Sequence, residues 1–279
     1  MRAILLYGPT VLLYALLAVH FWRTRWHTRD GAERPMAPWE RWAILVAFAL
    51  HTFLLYDTLF APTTLRFGFG QALSATLWLA VLVYWLENLF YRLEGMQPIV
   101  LGVAALCAPL PALFPGLESP AYAHTLQFRL HLAMAIIAYS LLTIAALHAM
   151  LMSLIEKRLH GRGLGEELSG PLASLPPLLT LEALLFRILG AGFVMLTLTL
   201  VTGVAFSETL FGKAFQFNHK TLFAVLSWAI FGLLLAGRHF YGWRGRRALR
   251  WTMAGFIVLM LAYVGSRFVL EVILGRSLA

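Results

Sequence analysis

Long apolar runs, broken by short polar stretches, dominate the chain. They lie at roughly 3–22, 42–60, 71–90, 98–114, 130–155, 184–206, 219–240 and 251–274. Most approach the ~20 residues with which a helix crosses a bilayer. The pattern therefore predicts an all-α, polytopic transmembrane helical bundle of about eight spans. The fourth run is the shortest and carries Pro109 and Pro111, which remove helix hydrogen bonds. The first run reads as a span rather than a cleaved signal. It lacks a strongly basic start and an Ala-x-Ala-like cleavage site, and Trp22-Arg23-Thr24-Arg25-Trp26 follows it. No repeat in the chain is strong enough to indicate an inverted-repeat transporter. The whole of 1–279 reads as a single integral membrane domain with the lipid bilayer as its surroundings.

Composition agrees with this pattern. Hydrophobic types make up 60% of the residues and charged types 13%, against the roughly 25% charged residues of soluble domains. One soluble core cannot hide this much apolar surface in 279 residues. The excess of 22 Lys and Arg over 13 Asp and Glu would suggest nucleic acid as a partner in a soluble protein. Here it reads as loop charge, and nucleic acid is not expected. The lone Cys107 excludes an intramolecular disulfide, a CxxC redox pair and a cysteine-rich metal cluster.

Charge also orients the spans. Arg23, Arg25, Arg29, Arg34 and Arg41 lie between the first two spans, and Arg92 follows the third. Lys157, Arg158, Arg162 and Arg187 surround the long connector at about 156–183. Arg238, Arg244, Arg246, Arg247 and Arg250 lie between the last two spans. All fall on one side of an eight-span layout, and Arg66, Arg129, Lys213 and Lys220 are scattered on the other. Positive charge concentrates in cytoplasmic loops, so both termini are expected on the extracytoplasmic side. Trp22, Trp26, Trp39, Trp42 and Trp243 fall at the same inner boundary, as in an aromatic belt.

Histidines carry the candidate chemistry. His131 and His219 begin their spans on the outer side, with His124 just before His131. His51 lies near the middle of the second span, His148 deep in the fifth, and His239 at the inner end of the seventh. His20, His27 and His160 are at or beyond the inner boundary. Neutral imidazoles ligate haem iron and other transition metals. His131 and His219 share a depth, so together they can supply two axial ligands to one haem. His51 with His239 or His148 is a second, deeper candidate pair. Arg129 and Lys220 lie two and one residues from the outer histidines and can pair with anionic propionates. A simpler reading stays open, in which each histidine marks a helix end and bonds to water or a carbonyl.

Other chemistries fit poorly. There is no His-Glu-x-x-His, and His131 and His148 are ~25 Å apart along one helix, so they cannot share a metal. The glycines of Gly161-Arg162-Gly163-Leu164-Gly165 are too irregular to cradle a phosphate. No Ser-His-Asp or Cys-His spacing and no paired carboxylates stand out, so no catalytic residue is assigned. Glu87 and Glu182 read as boundary or helix-start charges, and Asp57 and Glu271 fall near outer ends. Thr197, Thr199, Thr202 and Gly203 form a small or hydroxyl-bearing surface suited to helix packing.

Four blocks carry a family resemblance. They are Pro177-Leu178-Leu179-Thr180-Leu181-Glu182, the run Leu196 to Gly203, Gly242-Trp243-Arg244-Gly245-Arg246-Arg247, and Leu261 to Arg267. In this order they resemble the cytochrome c assembly superfamily (the CcsA type), with the YpjD/HemX-like branch nearest. The resemblance is clear over about 125–274 and extends more loosely to about 40. It implies a multi-pass protein of the inner (plasma) membrane, with haem handled at an outer site and by histidines within the membrane. His131 falls on an external-side histidine of the family, and His51 on a histidine of an early span. Phe217-Asn218-His219-Lys220 through Trp228 occupies the tryptophan-rich segment, without its Trp-Asp-Pro-Lys core. Arg238 stands where the family has a histidine, and His239 follows. The last external histidine of the CcsA type has no counterpart.

These departures argue against a synthase that attaches haem to apocytochrome c. Two roles remain. One is haem binding or handling in cytochrome c assembly, with other assembly proteins as partners. The other is a non-haem accessory subunit of a membrane transport complex that retains the fold.

Overall fold

The computed structural model describes residues 2–26, 36–59, 66–91, 93, 95–118, 123, 125–160, 177–206 and 218–274. The expectations placed on His27, Arg29, Arg34, Arg92, His124, the Gly161–Gly165 segment, Lys213 and Phe217 lie outside the described residues.

Helices occupy every apolar run. They are α1 (Arg2–Phe21), α2 (Pro38–Leu59), α3 (Phe69–Phe90), α4 (Gln97–Cys107), α5 (Leu110–Leu113), α6 (Leu126–His160), α7 (Leu178–Ala205), α8 (His219–Tyr241) and α9 (Gly245–Met260). The last continues through π-helical turns at Leu261–Gly265 and Val269–Ile273, on either side of a short α-helical turn. Strands β1 (Arg66–Phe67) and β2 (Leu117–Glu118) pair antiparallel. Among the described residues, five helices are long and apolar enough to cross a membrane: α3, α6, α7, α8 and the segment Gly245–Ile273. The fourth run is broken where Ala108 and Pro109 separate α4 from α5, as its prolines require.

Contacts between neighbouring helices fix their directions. α1 and α2 are antiparallel, with Tyr14 against His51 and His20 2.8 Å from Glu40. α2 and α3 are antiparallel, with His51 bonded to Ser74 and Phe48 stacked on Trp78. α3 and α6 run parallel. The Ser140 hydroxyl lies 3.0 Å from the Thr76 carbonyl, and farther along both helices His148 faces Glu87. The chain between them must therefore return from one end of α3 to the other. It does so through α4 and α5. Trp26 at the far end donates to the Gly95 carbonyl, and Gln71 near the start of α3 donates to the Pro115 carbonyl. Gly116, at φ 72°, packs so tightly on Gly68 that neither site accommodates a Cβ.

The remaining helices alternate in the same way. Gly192 of α7 packs on Leu142 of α6, Trp228 of α8 donates to Thr197 of α7, and Ser227 of α8 donates to the Gly255 carbonyl of α9. Small residues at the seams let the backbones approach closely, as membrane helices require when burial gives no hydrophobic gain. Large apolar side chains point outward instead, among them Val194, Leu198 and Val201 of α7 and Leu222, Leu226 and Leu233 of α8. Such a surface suits lipid, not water.

The bundle thus has two distinct ends. One gathers the start of α3, the start of α6, the end of α7, the start of α8 and the tail of α9. The other gathers the end of α1, the start of α2, the end of α3, the start of α7, the end of α8 and the start of α9. Most of the described arginines lie at this second end. There Glu182, buried at the start of α7, accepts from Arg238 at 2.7 Å and from Arg244 at 2.8 Å. Glu40 likewise accepts from the buried Arg25 and from the Ala37 backbone. These two carboxylates are structural anchors, a larger role than the helix-start charge expected of Glu182. Trp243 also turns inward onto Gly237 and Trp251, whereas Trp22, Trp39 and Trp42 remain exposed as a belt requires.

Candidate functional site

Near the start of α6, His131 leans on the end of α7. Its Nδ1 lies 3.0 Å from the Thr202 hydroxyl oxygen. Thr202 is itself 2.8 Å from the Leu198 carbonyl and 3.2 Å from that of Thr199. A carbonyl can only accept, so the threonine proton is committed there and its oxygen accepts from His131 Nδ1–H. The Nε2 lone pair of a neutral His131 is then the free one. Metal-ligating histidines are commonly held this way, by a hydrogen bond from the other ring nitrogen. Next to Thr202, Gly203 lacks a side chain. A Cβ there would sit 3.4 Å from His131 Cε1, so a side chain at 203 would press on the imidazole. The donor set therefore fits a haem-iron ligand at His131.

His219 is the first residue of α8, and its ring is exposed. The start of the helix is fixed by Asn218, whose side-chain oxygen accepts from the Thr221 backbone at 3.1 Å. His131 and His219 lie at the same end of the bundle, on helices that both pack against α7. The hydrogen-bond partner of His131 is Thr202 rather than a second histidine. Arg129 is exposed one turn-start away from His131. Lys220 is half-buried and interacts electrostatically with Arg267 and Glu271.

That last cluster was not singled out by sequence. The Glu271 carboxylate reaches the first backbone N–H of α3, at Phe69, where the helix N-terminus favours an anion. Arg267 covers the Tyr263 ring at 5.7 Å, and its Nε and one terminal nitrogen are buried without a hydrogen-bond partner. Arg267 adds a second cation beside Lys220. Its place in the Leu261–Arg267 block was the available signal, since an arginine in an apolar run is costly and therefore informative.

The deeper histidines are not assembled into a pair. His51 is fully buried, with Nε2 2.9 Å from Ser74 Oγ and the Tyr14 ring against its edge. Its Nδ1 is buried without a hydrogen-bond partner. His148 is also fully buried and faces α3. Ser74 and Glu87, the α3 contacts of these two histidines, are ~20 Å apart along the helix. His239 is exposed at the arginine-rich end, packed on Phe240. α2 packs on α1 and α3, whereas α8 packs on α7 and α9, so His51 and His239 lie on different sides of the bundle. Among the described residues no three His, Cys, Asp or Glu side chains group as a metal site.

Comparison with known proteins agrees with this architecture. The model of the family described as cytochrome C assembly protein matches residues 39–274. The inner membrane protein YpjD of Escherichia coli K12 is 32% identical over 178 residues, covering 64% of this chain and 65% of that protein. An uncharacterized 28.8 kDa protein of Azospirillum brasilense is 32% identical over 219 residues, covering 75% of this chain and 77% of the relative. The cytochrome c biogenesis protein CcsA of Chlamydomonas reinhardtii is 28% identical over 142 residues, covering 51% and 38%. The chain belongs to the cytochrome c assembly protein family, in its YpjD-like branch. With five helices among the described residues long and apolar enough to cross a membrane, it is a multi-pass protein of the inner membrane.

Proposed function

We propose that this member of the cytochrome c assembly family serves cytochrome c biogenesis by binding haem at the His131 end of the bundle. The observation that carries the reading is the His131–Thr202 hydrogen bond, which leaves Nε2 of a neutral imidazole as the lone pair a metal could take. His131 would hold the haem iron, with His219, on a neighbouring helix end, as the second histidine. Bound haem would supply iron ligation and one-electron chemistry. This chain's residues hold its edge: Arg129, Lys220 and Arg267 offer cations to the propionates.

The layout in the membrane is part of the same proposal. Eight spans alternate, both termini lie outside, and the arginine-rich end faces the cytoplasm. The haem end is then extracytoplasmic. The CcsA relatives are named for cytochrome c biogenesis, which favours a role beside other assembly proteins. The role proposed at this end is haem holding or transfer.

The test is the haem content of the purified protein. About one haem per chain with a six-coordinate spectrum supports the reading. A colourless protein that takes up no added haem overturns it in favour of a non-haem accessory subunit.

A further inference from the structure

Inside the α3–α6 seam two acceptors face each other. The Nδ1 of His148 lies 3.0 Å from the Ile144 carbonyl of its own helix. A carbonyl only accepts, so Nδ1 carries the proton. In a neutral ring, Nε2 is then a bare lone pair. Nε2 is 3.9 Å from Glu87 Oε2, and neither atom has a hydrogen-bond partner. The histidine side chain is 0% exposed and that of Glu87 13%.

Two lone pairs cannot be left abutting in a medium of low polarity. A carboxylate with no counter-charge and no donor is costly there. Among the described residues, the surrounding charged groups are engaged elsewhere. On α7, which also packs against α6, Glu182 is held by Arg238 and Arg244, and Arg187 is 3.0 Å from the Tyr91 hydroxyl. At the start of α9, Arg246 is paired with Glu156. On α2, His51 is bonded to Ser74 at the far part of α3. What the gap lacks is one positive hydrogen.

We infer that Glu87 and His148 hold a single proton between them, forming an intramembrane proton site distinct from the histidines at the other end. The proton sits either as O–H pointing at Nε2 or as N–H pointing at the carboxylate. Moving it between these positions shifts one charge on each partner and leaves the pair neutral overall. Tyr91 lies one turn beyond Glu87, where its backbone N–H donates to the Glu87 carbonyl at 2.8 Å. Tyr91 lines a cavity of about 250 Å³ with Thr180, Leu184 and Arg187 at the arginine-rich end.

The experiment uses the full chain in lipid nanodiscs. Infrared spectra in H₂O and D₂O look for the carbonyl stretch of a protonated carboxylic acid. Nitrogen-15 NMR of histidine-labelled protein reads the protonation of the rings. Near neutral pH, the expected result is a deuterium-sensitive carboxylic acid band that disappears in Glu87→Gln and moves in His148→Asn. A doubly protonated His148 ring, lost in Glu87→Gln, supports the same shared proton in its other position. An ionised Glu87 beside a singly protonated His148 overturns the proposal. So does a stoichiometric metal ion released by His148→Asn. Glu87→Asp and His148→Gln make the same assignments if the first variants misfold. None of them depends on haem content.

Discussion

His131 donates to the Thr202 hydroxyl oxygen across the α6–α7 seam, with 3.0 Å between Nδ1 and Oγ1. The bond fixes the tautomer and the ring orientation of the proposed ligand. Thr202→Val keeps the shape and removes the acceptor. Loss of such a supporting group typically lowers metal affinity about 10- to 100-fold. Haem titration of the purified variant should show weakening of this order with little change in melting temperature. Unchanged affinity would mean that the bond does not serve ligation.

Gly203 gives an independent steric test. A leucine there would extend from a Cβ already 3.4 Å from the His131 ring. Position 203 is near the end of α7 and only half-buried, so the fold should tolerate Gly203→Leu. Haem occupancy should fall several-fold while expression and helicity stay close to wild type. Gly192→Leu makes the contrast. Its Cβ would meet Leu142 at 2.9 Å in the core of the α6–α7 seam, and overpacking of this kind costs about 1–3 kcal/mol.

The arginine-rich end should govern stability without governing haem. Glu182→Ala leaves Arg238 and Arg244 without their shared acceptor. Breaking a buried pair costs about 3–5 kcal/mol, and the partial exposure of both arginines should bring the loss to about 1–3 kcal/mol. Thermal unfolding in detergent checks this. The haem spectrum of the folded fraction should be unchanged, because distant sites act independently.

Reporter fusions test the orientation. Fusions after Arg29, Arg162 and Arg246 should all read cytoplasmic, and fusions near Pro120 and Gly212 extracytoplasmic. A cytoplasmic reading at Pro120 or Gly212 would overturn the proposed sidedness.

Helices were legible because each apolar run is long and bounded by charge or proline, and the break at Pro109 was visible for the same reason. Pairing was not. Spacing along one chain cannot reveal that α3 and α6 run parallel, or that His51 and His148 meet α3 ~20 Å apart. The outer site was half legible. His131 stood out by type and depth, but its partner Thr202 reads in sequence as a packing residue. The role of Glu87 was hidden because a charge near a helix end is ordinary until a neighbouring helix supplies its surroundings.

The most direct measurement compares the absorption spectra of wild type and His131→Ala at equal protein concentration. The wild-type protein should carry about one six-coordinate haem per chain. His131→Ala should lose most of it or become five-coordinate, and His219→Ala should do the same. A double variant that keeps the wild-type spectrum and stoichiometry would contradict haem ligation at this end of the bundle.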